Sequence, residues 1–241
     1  MKKKVTLSQA WEGNADCLHC AIRSSVLFNG LTEQDFEMIH EPVGQITLEP
    51  GSVIYKEGDA GHYLYTIRSG LVKLVQHLPD GSQRIVRLAG DTDVLGLEIL
   101  VAERYAHEAI VLHTAELCRY PKDAVNMLSQ HNPVLHRDLM TRWQKALADA
   151  DEAITKLSSG PAKIRVANLL LRLADRDSNR CHLFSRDDVG SLLNLTVETA
   201  SRVIAEFKRQ GLVRQLSQNR FELDIPALQA VVDSKAQKTE S

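Results

Sequence analysis

Three polar side chains of one predicted helix, Glu198, Ser201 and Arg202, have the types and the spacing of residues that read DNA. Positions three and four apart share one face of a helix, so these side chains project together. Arginine binds guanine through two hydrogen bonds, and glutamate accepts a hydrogen bond from the amino group of cytosine. Serine can form a hydrogen bond with either base. Lys208 and Arg209 lie near the far end of the same helix, where DNA phosphates would pass. The pattern predicts a base-reading surface flanked by phosphate contacts.

Two short helices joined by a tight turn are needed to position this surface. Ser185 is suited to cap the first helix and Thr196 to cap the second, which Gly211 ends. The second helix has an apolar face at steps of three and four, formed by Val197, Ala200, Val203, Ile204 and Phe207. A helix-turn-helix places its second helix in the major groove, and Thr196 and Thr199 are counted among its DNA contacts. The alternative is an ordinary helical hairpin with a solvated charged face.

Charge is unevenly distributed along the 241 residues. Residues 158–241 hold 13 Lys and Arg against 10 Asp and Glu, a net of +3, whereas residues 1–157 hold 16 against 21, a net of −5. A basic carboxyl-terminal part is compatible with nucleic acid. Since there is no signal peptide and no apolar run as long as a membrane span, we expect a cytoplasmic protein without a membrane partner. Without a phosphate-cradling glycine loop, an HExxH motif or a G-x-S-x-G motif, we do not expect an enzyme.

Short β-like runs separated by glycine-containing turns fill the region before residue 121. They are Gln45–Leu48, Ser52–Tyr55, Tyr63–Ser69, Leu71–His77, Gln83–Leu88, Ala106–Leu112 and Glu116–Tyr120. Runs of this length and spacing predict an antiparallel sandwich or a jelly-roll barrel. Because a capped helix is predicted before it, over Thr32–Ile39, and further helices after it, the fold class is α+β.

A long helix over residues 133–158 follows, and its apolar residues form two adjacent stripes. The first has the heptad spacing of a pairing helix and consists of His136, Leu139, Trp143, Ala146, Ala150, Ala153 and Leu157. It predicts that the chain dimerises through this helix. The second stripe, Met140, Leu147 and Ile154, is expected to pack on the barrel. The alternative is a helix that lies on its own barrel and has no partner.

The end of the chain continues the helix-turn-helix on both sides. Ser159-Gly160-Pro161 breaks the long helix, and residues 162–175 predict an amphipathic helix. Val213–Leu216 and Arg220–Leu223, with a turn between them, predict a winged hairpin. A basic winged helix-turn-helix is typical of a DNA-binding domain.

The run Leu195–Arg202 resembles the recognition helix of the Crp/Fnr family of bacterial regulators, and its Glu-x-x-Ser-Arg pattern is that of the Fnr-like branch. Turn residues of the β-rich region resemble those of the family's cyclic-nucleotide-binding type of barrel, namely Pro50-Gly51, Glu57-Gly58-Asp59, Tyr65–Gly70 and Gly90-Asp91. The resemblance covers roughly residues 17–225.

This resemblance implies an organisation and a set of partners. The sensory jelly-roll barrel would occupy residues 1–132, the dimerisation helix 133–158 and the winged helix-turn-helix 159–241. A homodimer would bind a palindrome with TTGA-like half-sites through Glu198, Ser201 and Arg202. RNA polymerase is the expected protein partner.

The cysteines are what the resemblance links to the signal. The Fnr-like branch holds an iron–sulfur cluster on a Cys-x2-Cys-x5-Cys group plus one cysteine late in the barrel. Cys17, Cys20 and Cys118 stand at the first two positions and the last, whereas Val26 stands at the third. The implied site would sense oxygen or redox state with an incomplete cysteine set. Zinc, a thiol–disulfide switch and no metal or redox role are the alternatives.

A small ligand is the other candidate signal. Family members that bind cyclic AMP carry Gly-Glu-Leu and then Arg-Ser-Ala, whose arginine pairs with the cyclic phosphate. This chain has Gly96-Leu97-Glu98-Ile99 and then Tyr105–Ala109, so that arginine is absent at its place. Glu108 lies close by and Arg104 is the nearest candidate. A haem with nitric oxide as its ligand is the remaining alternative, although none of the nine histidines is singled out by its context.

Overall fold

The computed structural model describes Leu27, Asp35, Val43–Asp175 and Asp177–Ser234. The chain forms two compact units. The first runs to His77 and again from Arg87 to Ala148, and the second comprises Leu78–Val86 and the chain from Asp149 onward. Within the described ranges no helix has both the length and the apolar character needed to cross a membrane.

Six strands form one sheet, in which two long strands lie at the centre. β6 pairs in antiparallel fashion with β1, β2 and β3, and β3 also pairs with β4 and β5. The predicted α+β class with a β-rich amino-terminal domain is confirmed. The bounds are β1 Gly44–Leu48, β2 Val53–Tyr55, β3 Tyr63–His77, β4 Gln83–Ala89, β5 Val94–Leu95 and β6 Glu108–Pro121.

β3 is continuous where the sequence predicts a break at Ser69-Gly70. Its pairing with β6 shifts register several times between Ile67 and Val72. Gly70 has a φ of 112°, and a Cβ there would lie 2.5 Å from the Thr114 carbonyl oxygen, so the close approach of β6 requires glycine. The glycine therefore marks an irregularity within one long strand rather than a turn between two strands.

Two helices follow the sheet. α1 (Lys122–His131), which the sequence analysis does not predict, leads directly into α2 (Pro133–Glu152), and a π-helical turn continues α2 over Ala153–Leu157. The Asn132 side-chain oxygen accepts from the Val134 and Leu135 N–H groups at 3.0 and 3.1 Å, which satisfies two free donors at the start of α2. The predicted long helix is confirmed.

The two apolar stripes of α2 are not arranged as predicted. Met140, Leu147 and Ile154, expected to pack on the barrel, are 50%, 64% and 62% exposed. Of the predicted pairing stripe, Leu139, Ala153 and Leu157 are buried within the chain itself, and Trp143, Ala146 and Ala150 are half-buried. The prediction that the second stripe covers the barrel is wrong, because spacing alone does not tell which of two adjacent stripes faces the core.

Two polar contacts hold α2 against the turn between β4 and β5. The Arg142 guanidinium donates to the Thr92 carbonyl at 2.9 Å, and the Lys145 ammonium pairs with the Asp93 carboxylate at 2.7 Å. Thr92 has a φ of 71°, so this turn between β4 and β5 is tightly wound. Residues two apart lie on nearly opposite sides of a helix, so these contacts leave Met140 and Leu147 outward.

From Ala162 onward, the described part of the second unit contains four α-helices and a small sheet. They are α3 Ala162–Arg172, β7 Arg180–His182, α4 Arg186–Leu193, α5 Val197–Arg209, β8 Val213–Ser217, β9 Arg220–Leu223 and α6 Ile225–Asp233. The strand order is β7-β9-β8. The predicted winged hairpin is confirmed as β8 and β9. β7 and α6 were missed, β7 because three residues are too few to show a period.

Candidate DNA-binding interface

α4 and α5 each begin at the capping side chain that the sequence predicts. The Asp188 N–H donates to the Ser185 hydroxyl at 3.1 Å at the start of α4, and the Thr199 N–H donates to the Thr196 hydroxyl at 3.2 Å at the start of α5. Asn194 ends α4 with a φ of 54°, the left-handed conformation that asparagine tolerates. Only residues 194–196 separate the two helices, which confirms the predicted helix-turn-helix.

The turn between α4 and α5 depends on a close approach at Gly190. The Leu195 N–H donates to the Gly190 carbonyl at 3.0 Å. A Cβ at Gly190 would lie 2.7 Å from the Leu195 carbonyl oxygen, a separation that real Cβ atoms essentially never show. A side chain at this position would therefore push α5 away from α4.

Arg165 of α3 restrains the same turn from another side. Its guanidinium donates to the Leu193 and Asn194 carbonyls at 2.5 and 3.0 Å. These carbonyls lie at the carboxyl-terminal end of α4, where the helix dipole favours a cation. Sequence analysis missed Arg165, because its contacts join residues 28 and 29 positions apart and no local pattern announces them.

One face of α5 is buried and the opposite face is available to a partner. Its buried side chains are at most 4% exposed and comprise Ala200, Val203, Ile204 and Phe207. Glu198 and Arg202 are exposed and Ser201 is half-buried, and Lys208 and Arg209 are exposed at the far end. The structure therefore brings the sequence-predicted reading and phosphate residues together on one helix surface.

Hydrogen bonds at the start of α5 favour the charged form of Glu198. The pKa of the Glu198 carboxyl lies below its usual range because its own backbone N–H and the Thr196 hydroxyl donate to it. Glu198 is therefore an anion at neutral pH and can accept from the amino group of cytosine. Thr196 and Thr199, predicted as DNA contacts, are both engaged in capping α5.

Two side-chain contacts fix α5 against its neighbours. The Lys163 ammonium of α3 donates to the Glu206 carboxylate at 2.5 Å, and this bond lowers the pKa of Glu206. The Lys208 ammonium donates to the Gln215 side-chain oxygen of β8 at 2.7 Å. Lys208 thus links the helix to the winged hairpin, a role that the sequence analysis did not assign to it.

The predicted cysteine site lies mostly outside the described residues, since Cys17, Cys20 and Val26 are not among them. Cys118 lies on β6 opposite Gln45 of β1 and Thr66 of β3, and it is 2% exposed. Across the part of the chain that is described, no three Cys, His, Asp or Glu side chains come together as a metal site would need. The described residues therefore do not by themselves provide a ligand set for an iron–sulfur cluster.

Cys181, the remaining described cysteine, is buried in the second unit. Burial raises the pKa of its thiol to about 12, so it is a protonated thiol at neutral pH. A protonated, buried thiol is a poor metal ligand and a poor nucleophile.

Arg104 and Glu108, the residues that the sequence analysis considers for a cyclic phosphate, both make contacts within the chain. The Arg104 guanidinium donates to the Gly58 carbonyl at 2.7 Å, and Glu108 pairs with His77 at 3.0 Å. Nearby, the buried rings of Tyr55 and Tyr105 stack with their centroids 3.8 Å apart. Arg104, the candidate named from the sequence, is exposed, and one of its guanidinium nitrogens is held by the Gly58 carbonyl.

Known proteins match both units. Residues 45–132 match the model of the cyclic nucleotide-binding domain, and residues 164–231 match that of the Crp-like helix-turn-helix domain. Electron transport regulator A of Shewanella oneidensis is 32% identical over 175 residues, 69% of each chain. The transcriptional activator protein anr of Pseudomonas aeruginosa is 28% identical over 207 residues, 83% of this chain and 85% of that protein. The structure of FixK2 from Bradyrhizobium japonicum shares the fold, with a TM-score of 0.73 at 23% identity over 79% of this chain and 98% of that one.

Gly190→Ala should disrupt the turn and with it DNA binding. The added methyl group meets the Leu195 carbonyl oxygen, so we expect a loss of about 1–3 kcal/mol in unfolding free energy and a marked loss of DNA affinity. Gly211→Ala is the matched control: no heavy atom lies within 4 Å of its added methyl, and only its positive φ costs about 1–2 kcal/mol. Urea unfolding and fluorescence anisotropy with duplex DNA measure both. Unchanged DNA affinity in Gly190→Ala would show that the turn does not place α5.

Proposed function

Because the chain belongs to the Crp/Fnr family of DNA-binding transcription regulators, in its Fnr-like branch, we propose that it acts as a homodimer that reads a near-palindromic DNA site. The observation that carries this proposal is α5, whose apolar face is buried while Glu198 and Arg202 are exposed near its start. Two copies of α5 would enter successive major-groove faces with half-site centres about 34–36 Å apart. Since DNA and RNA polymerase are its expected partners, we assign the protein to the cytoplasm.

Base recognition would be shared among three side chains. Glu198, an anion, accepts from cytosine, Arg202 donates twice to guanine, and Ser201 adds one further hydrogen bond. The resemblance to Fnr-like recognition helices supports TTGA-like half-sites, in which the guanine and the cytosine opposite it supply both partners. Regulation of transcription is the activity of the family, so the chain is a regulator and not an enzyme.

Arg202→Ala should relax the sequence preference at one base pair. Loss of a bidentate contact to guanine costs about 1–3 kcal/mol at that position. Arg209→Ala removes one exposed cation at the far end of the same helix. It should instead weaken binding to all sequences alike and reduce the salt dependence of the DNA affinity. Arg209 is preferred to Lys208 as the control because Lys208 also holds Gln215. The affinities of both protein variants for a panel of duplexes that each differ at one base pair measure these effects. The reading face is wrongly assigned if Arg202→Ala keeps the parent's preference and affinity.

The exposed side of α2 is the proposed dimer surface. Met140, Trp143, Leu147, Ala150 and Ile154 follow one another at steps of 3, 4, 3 and 4, which is the seam of a coiled coil. Met140, Leu147 and Ile154 are at least 50% exposed, and Trp143 and Ala150 are half-buried. A second copy fits this surface because the heptad period lets two such helices interlock between Met140 and Ile154. The seam retains Trp143 and Ala150 from the sequence-predicted set. It leaves out the buried Leu139, Ala153 and Leu157 and the half-buried Ala146.

Leu147→Glu should separate the dimer. Two glutamates would face each other in an apolar seam, so the sedimentation mass at micromolar concentration should fall to that of a monomer. Affinity for a palindromic duplex should fall with it, because each half-site is then bound independently. Ala148→Glu, the same charge one residue further along on an exposed position outside the seam, should leave both unchanged. A parent protein that sediments as a monomer with and without DNA contradicts the dimer.

A response to oxygen or redox state is the second part of the proposal. It is supported by Cys17, Cys20 and Cys118, by the Fnr-like branch, and by the relative from Shewanella oneidensis, whose name concerns electron transport. An iron–sulfur cluster, when bound, would be the group that reacts with oxygen. The described residues do not complete its ligand set, so we assign the response to the cysteines and not to a defined cluster.

Loss of Cys20 or Cys118 should abolish the difference in DNA affinity between samples prepared with and without air. Cys20→Ser and Cys118→Ala are suitable variants, since alanine leaves no hydroxyl at the buried position of Cys118. Cys181→Ala is the control and should keep the difference. Iron and acid-labile sulfide measured in the same samples show whether a cluster or the thiols alone respond. Equal affinity of the parent under both conditions, or a full response in both variants, would contradict the cysteine assignment.

A further inference from the structure

In the second unit, α3 contacts both the end of α2 and the helix-turn-helix. Near the start of α3, Arg165 donates to carbonyls at the end of α4, and Lys163 pairs with Glu206 of α5. Two later side chains of α3, Asn168 and Arg172, reach the end of α2 instead. A movement of α3 relative to the end of α2 would therefore carry α5 with it.

The covalent connection between α2 and α3 is short, but it does not fix the angle between these helices. Only residues 158–161 separate α3 from the π-helical turn that continues α2. Gly160 has a φ of 87°, and glycine adopts this and other backbone conformations at little steric cost. Contacts outside the connection are therefore needed to select one angle.

Apolar packing does not supply all of these contacts. A cleft of about 780 Å³ lies between the end of α2, α3 and α6, and Leu157, Leu171 and Val232 are among its lining residues. Well-packed interiors contain few voids larger than a water molecule. On this side α3 is therefore not pressed against α2 and α6, and the polar contacts between α2 and α3 carry more of the constraint.

Arg172, in the last turn of α3, connects α3 to two carboxylates of α2. Its guanidinium donates to the Glu152 carboxylate at 2.7 Å, and its other terminal nitrogen lies 3.5 Å from the Asp149 carboxylate. The side chains of Arg172 and Asp149 are 21% and 18% exposed, so salt screens this contact less than one on the open surface. Because a guanidinium is planar and rigid, two carboxylates three residues apart on one helix restrict its direction as well as its distance.

Asn168 holds the backbone at the end of α2. The π-helical turn closes where the Ser158 N–H donates to the Ala153 carbonyl at 2.9 Å. The last carbonyls of a helix have no partner inside the helix. The Asn168 side chain donates to one of them, the Lys156 carbonyl, at 2.9 Å. Since Asn168 and Arg172 are four residues apart, they lie on one face of α3 and hold it at two points.

We propose that Arg172 determines which spacing between two DNA half-sites the protein accepts. In a dimer paired through α2, the angle between α2 and α3 decides where each copy of α5 meets the duplex. One additional base pair moves a half-site by about 3.4 Å and rotates it by about 35°. A fixed angle therefore suits one spacing and rejects its neighbours. This inference rests on the proposed dimeric DNA-binding function and extends it to the choice of site.

A series of palindromic duplexes tests the proposal with the full-length protein. Its members carry two TTGA half-sites with centres one helical turn apart, or with one or two base pairs added or removed between them. Two added base pairs should lower the affinity of the parent by about 100-fold, because the dimer can no longer engage both half-sites. Arg172→Gln should lose only about tenfold, since α3 can then adopt other angles and both half-sites remain within reach.

Lys156→Gln is the matched control. The Lys156 ammonium pairs with the same Glu152 carboxylate at 2.9 Å, but this contact lies within the continuous helix of α2 and does not join it to α3. This variant should keep the spacing dependence of the parent, whereas Glu152→Gln should weaken it as Arg172→Gln does. A duplex with a single half-site should bind Arg172→Gln as tightly as it binds the parent, because the surface of α5 is unchanged.

Three results would overturn the proposal. They are a spacing dependence in Arg172→Gln equal to that of the parent, a weakened dependence in Lys156→Gln, and an equal loss of affinity for single and paired half-sites in Arg172→Gln. The last would show that Arg172 only stabilises the fold. A parent whose affinity does not change with spacing would instead remove the dimeric function on which the inference rests.

Discussion

Burial of one face of α5 is the constraint on which the rest of the DNA-binding unit depends. Ala200, Val203, Ile204 and Phe207 are at most 4% exposed, so rotation of the helix would take this whole face out of the core. The rotation of α5 is therefore set by packing, and Glu198 and Arg202 face outward as a consequence. The close approach at Gly190 and the hydrogen bond from Arg165 to the end of α4 then fix where α5 lies against α4.

The features of this unit that could be predicted are those encoded by neighbours in sequence. Ser185 and Thr196 cap their helices, and Gly211 follows the end of α5, because capping is a local interaction. The contacts of Arg165 could not be predicted, since they depend on how α3 packs against α4. β7 was missed for a similar reason: three residues become a strand only because β9 pairs with them.

The first unit shows the limit of pattern analysis in a different way. The heptad spacing of α2 is present in two adjacent stripes, and only the contacts of Arg142 and Lys145 with the turn at Thr92 and Asp93 reveal which side faces the barrel. The same contacts connect the sheet of the first unit to the helix that carries the proposed dimer seam. Cys118, buried on β6, is part of the same sheet.

In the proposed dimer, two copies of α5, paired through α2, read one DNA site. Hydroxyl-radical footprinting of the protein on a palindromic duplex locates each contact along the helix axis. We expect two protected stretches related by the dyad of the site, with centres about one helical turn, 34–36 Å, apart. A single protected stretch at saturation, or two stretches on opposite faces of the duplex, would contradict it.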